Sequence, residues 1–188
     1  MRRTIAALCV VSSVACLLSG CGGGGGRGGP PSPRVFTEGF GSGWDDVYAY
    51  SWDCDIGWYL NNPDQAHSGK MAVRVRYVAP WGGLAFHALQ RPLPLTGLTE
   101  CSVWLRAVTA HARVRLLLQG KNAAGQDVEP GAHLSSYGPD PIPVGSYAQY
   151  RVPLADLGMT DGSVWKVSIV DDTGVADTTI VLDDLMFR

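Results

Sequence analysis

Histidine is scarce in this sequence: four residues in 188, His67, His87, His111 and His133, none at the H-x-x-x-H spacing that puts two imidazoles on one helical face, and none beside a cysteine. That excludes the common zinc patterns. G-x-S-x-G is absent, which excludes the nucleophile elbow of serine hydrolases. Charged residues are few, 17%, and basic residues never gather in more than small groups, so there is no nucleic-acid footprint and no nucleic-acid partner is expected. No segment keeps a helical apolar period for three turns, which excludes a helical bundle. A single long apolar run exists, at the N-terminus, and it is short for a hydrocarbon core of about 30 Å, with no stop-transfer charges behind it.

That run is an address. Arg2 and Arg3 precede an apolar stretch from Ile5 to Leu18 broken only by Ser12 and Ser13, and small residues follow, as in a secretory signal peptide. Leu18-Ser19-Gly20-Cys21 resembles the bacterial lipobox at all four positions. The resemblance implies cleavage of residues 1–20 and acylation of Cys21 on its sulfur and on its new amino group; the alternative is an ordinary signal peptide with a chance cysteine. At roughly 0.8 kcal/mol per buried methylene, several chains on Cys21 hold a membrane firmly. Residues 21–34 form the tether: Gly22 to Gly29 hold only Arg27 besides glycine, and Pro30-Pro31-Ser32-Pro33 follows. Such a segment buries no apolar surface, and it reaches roughly 20 Å as a flexible chain. Gly22 stands where an aspartate would retain a lipoprotein at the inner membrane; if the cell is Gram-negative, the same resemblance implies the outer membrane.

Residues 35–188 make one domain, long enough to bury roughly two-thirds of its unfolded surface. Without Arg2 and Arg3 the 15 basic side chains become 13 against 17 acidic ones, a net charge of −4. Of five cysteines, Cys9 and Cys16 leave with the signal peptide and Cys21 carries lipid, so Cys54 and Cys101 remain. In an oxidising compartment these two can pair, closing a loop of about 48 residues worth ~4 kcal/mol on the chain-entropy model. Two buried free thiols are the alternative.

The domain alternates with period two almost throughout. Val73, Val75 and Tyr77 alternate with Arg74 and Arg76; Leu84, Phe86 and Ala88 with Ala85 and His87; Cys101, Val103 and Leu105 with Ser102, Trp104 and Arg106; Val114, Leu116 and Leu118 with Arg113, Arg115, Leu117 and Gln119. Further strands are expected at 150–154, 164–170 and 179–187. Asn61-Asn62-Pro63-Asp64, Ser68-Gly69, Trp81-Gly82-Gly83, Asn122 to Gly125 and Gly138 to Pro141 punctuate them, and Ala155 to Met159 suggests one helical turn. Many short strands between Gly/Pro turns predict an all-β fold, a two-sheet jelly-roll β-sandwich.

A family likeness rests on a succession of short motifs: Gly43-Trp44, Tyr50-Ser51-Trp52, His67-Ser68-Gly69-Lys70, Val73-Arg74-Val75, Trp81-Gly82-Gly83-Leu84, Val152 to Gly158 and Leu182-Asp183-Asp184-Leu185. In this order they resemble the galactose-binding-like jelly-roll modules that accompany secreted bacterial glycan-active enzymes, the carbohydrate-binding modules. The resemblance implies a polysaccharide or oligosaccharide partner. A pyranose packs its C–H face on a flat aromatic ring and needs polar groups at its edge. Six tryptophans and seven tyrosines outnumber four phenylalanines, and Trp44, Tyr48, Tyr50, Trp52, Trp58 and Tyr59 crowd into sixteen residues. Trp52, Cys54, Ile56 and Trp58 share one parity, Asp53, Asp55, Gly57 and Tyr59 the other, and one set must be core. Trp81, between Pro80 and Gly82-Gly83, has a loop setting that favours exposure. The candidate sugar site is therefore Trp81 with one or two of Trp52, Trp58 and Tyr59 as stacking surface, and His87 and Arg74, on outward parity, as hydroxyl partners.

Two further readings concern metal and catalysis. Asp53-Cys54-Asp55-Ile56-Gly57 starts like an EF-hand loop, but Trp58 stands at position six and Asp64 at position twelve, which breaks the pattern. The jelly-roll resemblance instead implies a structural calcium ion joining the first and last strands, with Glu38 and Asp183 or Asp184 at matching places; strand-end acids facing water are the alternative. Acid pairs for glycoside cleavage could be drawn from Asp53, Asp55, Glu129, Asp171 and Asp172, with nothing to single one out. The leading expectation is a lipid-anchored, non-catalytic carbohydrate-binding module of the cell envelope. A jelly-roll glycan lyase or hydrolase and a protein–protein adaptor are the rivals.

Overall fold

The computed structural model describes residues 30–44, 50–59 and 61–188. The signal peptide, Cys21, most of the linker and Tyr48 lie outside the described residues. Among these, twelve strands and one 3-10 turn (Leu134–Ser136) make up the regular structure: β1 (Arg34–Phe36), β2 (Cys54–Tyr59), β3 (Ala72–Tyr77), β4 (Gly83–His87), β5 (Leu93–Pro94), β6 (Glu100–Ala107), β7 (Val114–Lys121), β8 (Asp127–Val128), β9 (Gly131–His133), β10 (Ala148–Pro153), β11 (Ser163–Asp171) and β12 (Thr178–Phe187). The first sheet runs β10-β6-β12-β3-β2 with β1 beside β12; the second runs β4-β11-β7-β8 with β5 beside β11 and β9 beside β7. Every strand pairing is antiparallel. This is the expected jelly-roll sandwich.

The alternation read from the sequence sorts the faces. Val73, Val75, Tyr77, Val103, Leu105, Ile180 and Leu182 of the first sheet meet Leu84, Phe86, Leu116, Leu118, Val167 and Ile169 of the second in one buried core. Tyr77 crosses between the sheets, its hydroxyl donating to the Ile169 carbonyl at 2.9 Å. That bond satisfies a phenol that is 0% exposed, and burial holds its pKa well above the usual value. The expected turn after Pro153 is present as i→i+3 bonds from Asp156, Leu157 and Gly158 to Pro153, Leu154 and Ala155.

Two local breaks in the alternation place the functional candidates. At Asp53 (φ +49°) the chain changes sheets: Trp52 bridges Gly83 at the edge of the second sheet, while Cys54 onward pairs with β3 in the first. Trp52 therefore does not share a face with Cys54, Ile56 and Trp58, which pack against the core. At the other break β12 carries a bulge between Asp183 and Met186, with Asp184 at φ +46°. Core positions fall on even numbers up to Leu182 and on odd numbers from Leu185.

The disulfide is excluded by sheet order. Cys54 on β2 and Cys101 on β6 are separated by β3 and β12, three strand spacings or about 14 Å, against the 4.4–6.8 Å that a bridge spans. Both are free thiols. Burial, with Asp55 and Asp53 nearby, pushes Cys54 up to about 11, and burial with Glu100 pushes Cys101 higher still.

Candidate functional site

Aromatic side chains lie on the outer face of the second sheet, over positions that are themselves buried: Gly83, Ala85, Ser168 and Val170. Cross-strand rows on that face read Gly83–Val170–Arg115, Ala85–Ser168–Leu117 and His87–Lys166–Gln119. Glycine, alanine and serine leave a low floor. A Cβ at Gly83 would collide with the Trp52 indole, so glycine is what lets that ring lie on the strand. Trp52 is 36% exposed, Tyr50 41% and Trp81 50%, all three on large aromatic side chains of this one face. Their positions are fixed from below. The Trp52 Nε1–H donates to the Trp81 carbonyl at 2.8 Å, the Ala85 N–H donates to the Ser51 hydroxyl at 2.9 Å, and Tyr50 stacks on His87 with ring centroids 4.2 Å apart.

Trp81 sits in a turn closed by the Gly82 N–H on the Ala79 carbonyl, at φ +65°. A bulky residue in the left-handed region is held there by its surroundings. Gly174 lies against its indole, in a loop anchored by buried Asp171, whose carboxylate accepts from Thr173 Oγ1 and the Gly174 N–H. Two cations lie over the indoles: Arg115 Cζ is 5.6 Å from the Trp81 ring centroid and Lys166 Nζ 5.7 Å from that of Trp52. Arg115 Nε is buried without a hydrogen-bond partner.

Beside the aromatics the face continues as a groove of three joined depressions. Arg115, Leu117, Glu129, Gly131 and His133 line the first, Gln119, Glu129 and Trp165 the second, and His87, Gln90, Arg91, Lys121 and Trp165 the third. Of the two acids that line it, Asp127 pairs with Lys121 and Glu129 has no ion pair among the described residues, while Asp172 is hydrogen-bonded to His133 at the groove's end. Of the acids considered for catalysis, Asp55 pairs with Arg76 on the other sheet and Asp171 is committed to its loop, so these two do not face each other. What this surface offers is flat apolar contact with polar groups at its edges, along a trough suited to an extended chain.

The structure brings together Trp81, Trp52 and His87 and separates them from Trp58, Tyr59 and Arg74. Trp58 faces inward, with Phe36 and Phe40 at 5.9 and 5.6 Å between ring centroids. Tyr59 and Arg74 lie on outward parity of the first sheet, so they belong to the opposite surface. Parity carried through Asp53 joins Trp52 to Trp58, whereas Tyr59 and Arg74 face outward as their alternation indicates but on the other sheet. Tyr50, Arg115, Gln119 and Lys166 were missed as candidates, although the alternation of 113–119 already put Arg115 and Gln119 on the polar face.

The opposite surface has its own aromatic cluster, but a loop covers it. His67 stacks on Trp104 at 3.7 Å, Arg106 lies over Tyr147, and both Arg106 and Tyr147 bond to Gln65. The expected calcium ligands hold this same loop. Asp183 Oδ2 accepts the N–H groups of His67 (2.9 Å) and Ser68 (3.1 Å), and its Oδ1 accepts that of Asp184 (2.7 Å). Asp184 takes His67 Nδ1 and Ser68 Oγ, and Glu38 takes the Lys70 N–H. Gly69, at φ +58°, has no room for a Cβ beside the Glu38 carboxylate. Calcium needs about 6–8 oxygens turned inward. Here the carboxylates are filled by amide donors, and no group of three or more His, Cys, Asp or Glu among the described residues could hold a metal ion. Glu38, Asp183 and Asp184 do not fit the ion; they staple the loop instead. Burial pushes the Asp183 carboxyl up to about 6 although the amides of Ser68, Asp184 and His67 pull it down.

The chain matches no profile of a known protein family and no curated protein. Solved structures share its fold. A variant of a family 29 carbohydrate-binding module aligns at a TM-score of 0.51 and 13% identity over 82% of this chain and 89% of that one. Another variant of that module, complexed with mannohexaose, aligns at 0.51 and 12% over the same shares. The CBM22-1–GH10 modules of Clostridium thermocellum endo-1,4-β-D-xylanase 10B, complexed with xylohexaose, align at 0.50 and 11%, over 84% of this chain and 27% of that one. Likeness at these identities establishes the fold alone, a jelly-roll β-sandwich.

Proposed function

We propose that this chain is a non-catalytic polysaccharide-binding module, held at the cell envelope by lipid on Cys21, and that it binds along the outer face of the second sheet. The observation that carries the reading is the set Tyr50, Trp52 and Trp81, three exposed aromatic rings on one face, continuous with an open groove. Water covers such rings poorly and a sugar's C–H face covers them well. His87, Gln119, Arg115 and Lys166 supply donors and acceptors at the edges. Two proteins that share the fold were crystallised with mannohexaose and with xylohexaose, which supports a sugar-chain ligand here.

The test is retention in polysaccharide-containing gels across a panel of plant and microbial glycans. The wild type should be retarded by at least one, and the Trp52→Ala/Trp81→Ala variant should migrate as in plain gel. A folded wild type that no glycan retards would sink the reading and favour the adaptor role.

A further inference from the structure

Resting on that reading, we propose that the ligand is an anionic polysaccharide, one whose pyranose rings carry carboxylates, with Arg115 and Lys166 as the residues that select it. Each of the two exposed indoles of the face has one cation beside it. Neither cation has an ion-pair partner among the described residues, nor has Arg91 in the same groove, whereas Lys121 there is paired with Asp127. Arg115 also keeps a buried Nε with no acceptor. Half-buried charges left without anions beside a binding surface are complementary to a ligand that brings its own.

The geometry suits a carboxylate on a stacked sugar. The cations lie over their indoles, Arg115 Cζ 5.6 Å and Lys166 Nζ 5.7 Å from the ring centroids, so a sugar that reaches either ring meets a positive charge. A pyranose laid on that face carries its exocyclic carbon at the ring's periphery. In a uronic acid that carbon is a carboxylate, within reach of the cation; in a neutral hexose it is a hydroxymethyl group that leaves the charge unpaired. The guanidinium of Arg115 also matches a carboxylate with two parallel donors. Glu129, at the rim of the Arg115 depression, is the acid that opposes this preference, while Asp127 and Asp172 are engaged by Lys121 and His133.

Titration calorimetry of the full chain in detergent tests the proposal with polygalacturonate and alginate, each beside the same polymer carboxyl-reduced to its neutral glycan. Reduction should weaken binding at least tenfold, and only the parent polymers should lose affinity as NaCl rises from about 0.05 to about 0.5 M. Arg115→Gln and Lys166→Met should each cost about tenfold on the parent polymers, the scale of a hydrogen bond to a charged group, and several-fold less on the reduced ones. Polyglutamate, a carboxylate chain without pyranose rings, should not bind. Equal affinity for parent and reduced polymers, preference for a neutral glycan, or binding of polyglutamate would overturn the selection of uronic acids while the polysaccharide reading stands. Failure to bind any glycan, charged or neutral, would overturn both.

Discussion

Trp81→Ala separates a binding tryptophan from a structural one, because the structure assigns the two roles different costs. Trp81 is 50% exposed, so folding removes about half of an indole's ~200 Å² from water. At about 25 cal/mol per Å² that burial amounts to about 2.5 kcal/mol, part of which alanine retains. Loss of the Arg115 contact adds about 0.5–1 kcal/mol. The hydrogen bond from Trp52 goes to the Trp81 backbone carbonyl and survives the substitution. The net loss should be about 2 kcal/mol, a lowered melting temperature in a protein that still folds. Affinity should fall about thirtyfold, as for a stacked aromatic at a binding hot spot. Trp104→Ala is the matched control: a half-buried indole on the other sheet, stacked on His67, whose loss should cost similar stability and no affinity. Buried Trp44 (3% exposed) should cost about 3–5 kcal/mol when truncated and leave little folded protein. Thermal melts with gel retention on the same samples decide it. If Trp81→Ala unfolds, or if it folds and binds as the wild type while Trp104→Ala does not, the face assignment is wrong.

Five other outcomes follow from particular residues. Asp183 has its pKa raised from 3.8 to about 6 in the native state, so the folded protein holds that proton more tightly; this residue's contribution should make stability fall as pH rises from about 4 to about 6, a slope that urea melts should find missing in Asp183→Asn. At neutral pH that variant should itself cost about 1–3 kcal/mol, since one of three amide donors then faces an NH₂ group. Chelator and excess calcium should give the same melting temperature, because the Glu38, Asp183 and Asp184 carboxylates are taken by N–H and side-chain donors; a drop with chelator would restore the ion. Cys54 and Cys101 should both titrate as thiols after non-reducing denaturation, and a mass two units lower would contradict the strand order. Cys21→Ala should abolish partitioning into a detergent phase, and unchanged partitioning would remove the basis for lipid anchoring.

Strands and their inward faces were legible wherever alternation ran unbroken, as in Val73–Tyr77 and Val114–Leu118, because a sheet with one buried face enforces period two. Legibility failed where one residue leaves the extended region. Asp53 turns the chain from one sheet to the other, and parity carried through it joined Trp52 to Trp58 and so mixed two surfaces. The bulge at Asp183-Asp184 is a similar case with a visible signal: two acids between Leu182 and Leu185 shift the apolar register by one. Sheet order, which decides the fate of Cys54 and Cys101, is a property of long-range pairing that no local pattern reports. The calcium expectation counted acids but not the amide donors of residues 67–70 that fill them. Exposure of Trp81 was legible because its Pro and Gly neighbours are turn chemistry, and turns sit at the surface.

Indole N–H resonances offer the most direct test of where a glycan binds, since each of the six tryptophans contributes one Nε1–H signal. On titration with a retained oligosaccharide, the signals of Trp81 and Trp52 should shift together and saturate at one equivalent. Those of Trp44, Trp58 and Trp104 should stay in place. Movement of Trp104 with Trp81 and Trp52 unmoved would put the ligand on the opposite sheet and contradict the account.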